Sequence, residues 1–91
     1  VTISDSETLT IGAAASGLTA GKIQTNVVQV TINSEGPVRY WTSGKTPTAA
    51  QGILLYEGTN LKLSRTEALA FKVIRTGGVD IVIQVQYITL L

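Results

Sequence analysis

The chain has no cysteine. That excludes disulfide staples and thiolate metal sites. It has no histidine either. The commonest general base and the commonest zinc ligand are therefore missing, and a hydrolase triad of the usual type cannot be built. Charged residues make up 14% of the chain, against about 25% in an average soluble domain. The net charge of +1 is too small to define a phosphate-binding surface by itself. No apolar run approaches the roughly 20 residues that cross a bilayer as a helix. Residues 1–9 show no basic start followed by an apolar block, the pattern of a secretory leader.

What the chain does have is apolar and hydroxyl-bearing. Hydrophobic residues reach 44% of its 91 residues. A single domain of that length is near the lower limit for a core without staples, and it has much surface for its volume. Part of the apolar content must then lie outside the core. Large exposed apolar patches are unusual on monomers, so the balance predicts a chain that covers its excess against another subunit, set against a well-packed monomer with a Thr/Gln-coated surface.

Strict two-residue alternation dominates the pattern. Val79, Ile81, Ile83, Val85 and Tyr87 alternate with Asp80, Val82, Gln84, Gln86 and Ile88, the signature of a half-buried strand. Similar runs cover 1–11, 22–33, 38–42, 52–57, 60–64 and 70–75, with residues 65–69 as a single helical turn or bend. Glycine and proline punctuate the joints, as at Gly36-Pro37 and Gly77-Gly78. The glycines of 12–21 argue for a loop despite the alanines. About seven strands with turns every 8–12 residues predict an all-β fold, an antiparallel immunoglobulin-like β-sandwich in one domain over 1–91. The expected core is Val28, Val30, Ile32, Val38, Tyr40, Leu61, Leu63, Phe71, Val73, Ile81, Ile83, Val85 and Tyr87. Lys22, Arg39, Lys62 and Lys72 are the expected guards of sheet edges.

Residues 38–48, VRYWTSGKTPT, are the most distinctive stretch. With Tyr56, Gly58, Leu61, Leu63, residues 72–75, Gly77-Gly78 and Tyr87, they resemble the small immunoglobulin-like domain at the C-termini of chitobiase-type enzymes. That domain carries a Y-T-x-D-G-x-x-P-T segment, matched here by Tyr40, Thr42, Gly44, Pro47 and Thr48. Trp41 stands where that family has a smaller residue, and Ser43 replaces its Asp. The match covers roughly half the chain, implies the sandwich fold and says little about chemistry, since the module is an accessory domain.

Nearly the whole chain also resembles small structural proteins encoded among bacteriophage head and tail genes. The matching segments are 8–11, 39–48, 58–63 and 70–75. This resemblance implies a virion structural protein, a decoration or cement protein on the outer capsid surface. Its partners would be the major capsid protein and further copies of itself as a homotrimer, with no nucleic acid, membrane, cofactor or metal and no enzymatic activity. A carbohydrate-binding accessory module and a tail or fibre-base component are the alternatives.

The residues offer few sites of their own. The least core-like segments are the first strand as a contact arm and the loop that follows, together 1–21. Val1, Ile3, Leu9, Ile11, Leu18 and Trp41 are the candidate partner contacts. Trp41 is also the candidate sugar-stacking residue, set against a plain sheet-covering role because adjacent strand residues face opposite sides. Asp5 and Glu7 share a strand face and could hold a hard cation, set against a solvated face. The remaining acids sit at or near turns, without the opposed pair a glycosidase needs. Arg39, Lys45, Lys62, Arg65, Lys72 and Arg75 are scattered and balanced by acids, which argues against nucleic-acid binding and leaves a weak contact with an acidic capsid surface open.

Overall fold

The computed structural model describes residues 2–89, Thr2 and Ser4 by backbone alone. The larger sheet is built from β1 (Thr2–Ile11), β2 (Val27–Ser34), β5 (Asn60–Ser64) and β7 (Ile81–Thr89). The smaller contains β3 (Val38–Trp41), β4 (Ile53–Leu55) and β6 (Lys72–Arg75). The spatial orders are β1-β7-β2-β5 and β4-β3-β6, with every pairing antiparallel. This is the all-β antiparallel sandwich that the alternation predicts. Two strands are placed differently from those of an immunoglobulin constant domain, whose fourth strand joins the first, second and fifth and whose last joins the third and sixth. Here β4 pairs with β3, and β7 inserts between β1 and β2.

The core lies between the sheets. Val30, Ile32, Val38, Val73, Ile83, Val85 and Tyr87 are fully buried or nearly so. The Tyr40 and Phe71 rings meet at 5.6 Å between centroids. Leu61 and Ile81 are only partly buried, packing against this cluster from its margin. Val79, the first residue of the alternating run, precedes the strand and is exposed.

The helix α1 (Arg65–Ala70) forms for a local reason. Ser64 Oγ accepts from the Glu67 amide at 3.2 Å, and Glu67 Oε1 accepts from the Ser64 amide at 2.9 Å. This reciprocal capping box satisfies two amides that the first turn leaves unpaired. Ala68 is the residue it buries.

Two bulges correct the expected core. β1 slips register against β7 between Ile3 and Asp5. β2 slips against β7 between Val27 and Gln29. Both shifts flank Ile88, one from each side. An extra residue in a strand reverses the facing of everything beyond it. Val28, expected in the core, is therefore 45% exposed, while Val27 is buried. Ile3 turns outward with Ile88, whereas Leu9 and Ile11 turn inward.

The first strand is not a free arm. β1 is paired with β7 along its length. Ile11, expected as a partner contact, is buried in the core, and Leu9 and Leu18 pack against it. The segment after β1 crosses to the smaller sheet, where Ser16 bridges to Val73 with amide–carbonyl distances of 2.8 and 3.0 Å. It then returns through a 3-10 turn at Ala20–Lys22. Val1 lies outside the described residues.

Candidate functional site

Among the described residues, two surfaces remain open for a partner. The first is the free edge of β1 with the bulged end of the larger sheet. The other edges are short or guarded. β4 has three residues. β5 carries Lys62, and β6 carries Lys72 and the Ser16 bridge. Arg39, expected as an edge guard, lies on the central strand β3. β1 is ten residues long and contains neither lysine nor proline. Alternate residues of an edge strand aim amide and carbonyl groups away from the sheet, ready to pair with another strand. Beside this edge, Ile3 and Val28 are about half exposed across the Ile88 row. Over the paired strands β1 and β7 lies an open depression whose lining includes Ser6, Thr8, Gln84 and Gln86. Its chemistry is hydroxyl and amide: Thr8 Oγ1 donates to Gln84 Oε1 at 2.6 Å, and Gln84 Nε2 donates to Glu35 at 2.7 Å.

The inner face of β1 is closed by the returning chain. Lys22 Nζ lies 2.6 Å from Asp5 Oδ2, and the Ser6 amide donates to Asp5 Oδ1 at 2.8 Å. These two bonds, the lysine first, hold the Asp5 carboxyl below its ordinary value. The same bond raises Lys22. Glu7 accepts from the Tyr87 hydroxyl at 2.6 Å and from the Thr19 hydroxyl at 2.9 Å. Burial, reinforced by that hydrogen bond to Glu7, pushes the Tyr87 phenol well above its ordinary value. The cation beside Asp5 is thus a lysine of the same chain, and Glu7 anchors the returning loop to the core. No three potential metal-ligating residues converge among the described residues.

The second surface is the outer face of the smaller sheet. Alternation along β3 buries Val38 and Tyr40 and turns Arg39 and Trp41 outward. Register places Leu54 and Ile74 on either side of Arg39, and Lys72 opposite Trp41. Arg39 reaches Gly52 O at 2.8 Å and Ala49 O at 3.2 Å. It thereby ties down the loop after β3. Pro47 is buried, and Thr48 closes a turn on Gln51. Gly44 has φ of +83°, a left-handed position that glycine adopts without strain. The loop brings Lys45 Nζ to 5.4 Å from the centre of the Trp41 ring. Such a cation–π contact contributes about 0.5–1 kcal/mol at an exposed site.

Among the described residues, Trp41 Nε1 is buried without a hydrogen-bond partner. A buried, unpaired donor costs about 1–3 kcal/mol. A pyranose stacking on the face that Lys45 covers would have to displace that lysine.

The six expected contact residues do not converge. Ile3 and Trp41 are on the outer faces of opposite sheets, Leu9, Ile11 and Leu18 serve the core, and Val1 is outside the described residues. Sequence reasoning missed Val28 as a surface residue and the gathering of Lys45, Lys72 and Arg39 around Trp41. The only signal for the second was their nearness to Trp41 in the chain or in strand register. No family model matches the chain, and no curated protein or solved structure matches it.

Proposed function

We propose that this chain is a non-enzymatic structural protein of a bacteriophage virion, a decoration protein that binds the outer capsid surface. The observation that carries this reading is the ten-residue β1 edge, free of lysine and proline, beside exposed Ile3 and Val28. An extended segment of a capsid subunit would add to that edge through main-chain hydrogen bonds, with side-chain pockets setting the register. Ile3 and Val28 would leave water at the same time, contributing about 25 cal/mol per Å² of apolar area buried. Repeated around a local symmetry axis by a trimer, such contacts would clamp neighbouring capsid subunits.

The phage resemblance supports the setting. Its 39–48 segment contains most of β3 and the first part of the loop pinned by Arg39, and 70–75 contains β6. The test is co-sedimentation with expanded capsids of the phage that encodes the chain, alongside light scattering for oligomeric state. Binding that Ile3→Asp and Val28→Asp abolish, with the fold intact, is the expected result. A compact monomer that leaves such capsids bare would sink the proposal.

A further inference from the structure

The outer face of the smaller sheet segregates charge in a chain whose net charge is only +1. Its strands β3, β4 and β6 carry three cations and no acidic residue. Two of them, Arg39 and Lys72, flank Trp41 on the outer face, and Lys45 lies over the ring. The third, Arg75, pairs with Asp80, as Lys22 pairs with Asp5. Neither Lys45 nor Lys72 has an ion-pair partner among the described residues. At the centre sits an indole N–H with no acceptor among the described residues.

We propose that this face docks a carboxylate-rich protein segment, with Trp41 as the central anchor and Lys45 and Lys72 as the charge contacts. Three observations converge on that chemistry. The cations are unneutralised, so an anionic partner gains where a cationic one is repelled. The strands of this face carry no acidic residue, so nothing on them repels a carboxylate. Lys45 sits on a flexible stem, so it can swing from the ring to an incoming carboxylate and expose the indole for contact. A central tryptophan ringed by polar side chains is also the usual anatomy of a binding hot spot. The surface is separate from the β1 edge, so the inference stands whether or not the partner is a capsid.

The chain has one tryptophan, so its fluorescence reports this face alone. The full chain is titrated with an oligoglutamate peptide, with an oligodeoxythymidylate and with a neutral chitooligosaccharide. A saturable change in Trp41 emission with oligoglutamate is expected, weakening severalfold or more as salt approaches about 0.5 M. Lys45→Glu and Lys72→Glu should each weaken it roughly tenfold or more, as reversing a steering charge does. Lys62→Glu, on the other sheet, should leave it unchanged. Thermal midpoints identify any variant that fails to fold, and Lys45→Gln and Lys72→Gln then replace it. Absence of a saturable change overturns the proposal. So does a change that survives both charge reversals or is lost equally in Lys62→Glu, or tighter binding of the oligonucleotide or the neutral sugar.

Discussion

The Tyr87 hydroxyl donates to Glu7 Oε1 at 2.6 Å, joining the most deeply buried aromatic ring to the edge strand β1. The same carboxylate accepts from the Thr19 hydroxyl, so one side chain holds together β7, β1 and the returning loop. This places an acidic residue on the core-facing side of β1, where periodicity alone would put an apolar one.

Tyr87→Phe is expected to cost about 1.5–3 kcal/mol, the range for a hydrogen bond to a charged group. Urea unfolding with an unchanged m-value checks it. The phenol titrates higher in the folded protein than in the unfolded chain, first because it is buried and second because of Glu7. Its contribution is complete below the unfolded value near 10 and is lost as pH rises toward the folded one. Stability should thus fall above about pH 10, by up to about 1.4 kcal/mol per pH unit for one proton. Tyr87→Phe should flatten that fall. The smaller upward shift of Tyr40, also due first to burial, should leave a residual slope.

The β2 bulge separates two adjacent valines energetically. Val27 is buried and Val28 is not. Val27→Ala should destabilise by about 1.5–3 kcal/mol, toward the full worth of a buried valine. Val28→Ala should stay within about 0.5 kcal/mol. Equal losses in thermal unfolding would contradict the register shift.

Gly52 has φ of +133°, and a Cβ there would lie 3.2 Å from Arg39 Cβ and 3.3 Å from Pro47 Cβ. Gly52→Ala should cost about 1–3 kcal/mol through backbone strain. It should also loosen the loop that Arg39 holds, seen as faster amide exchange at Thr48 and Gln51.

Ser64→Ala removes the cap of α1 and should cost about 1 kcal/mol. Ser64→Asp should recover most of it. Denaturant midpoints of the two variants check this local account of the helix.

Much of the fold was legible because it rests on local pattern. Ile83, Val85 and Tyr87 alternate with glutamines, and a two-residue period leaves a strand no other way to bury them. Gly36-Pro37 and Gly77-Gly78 mark real joints. The Ser64 and Glu67 pairing explains the helix at 65–70. The candidate sites were less legible. Ile3 and Ile11 share a parity in the chain, yet the bulge between Ile3 and Asp5 sends one outward and the other into the core.

By itself the sequence determined the sandwich class, its strands and the absence of histidine or thiol chemistry, because each depends on nearby residues or on composition. Tertiary structure decided that β7 lies between β1 and β2, that Val27 rather than Val28 is buried, and that Trp41 meets Lys45 and Lys72. The reason is that strand pairing and bulge placement are non-local. They follow from which partner a strand finds and where one extra residue relieves the fit against it. No window along the chain contains that information.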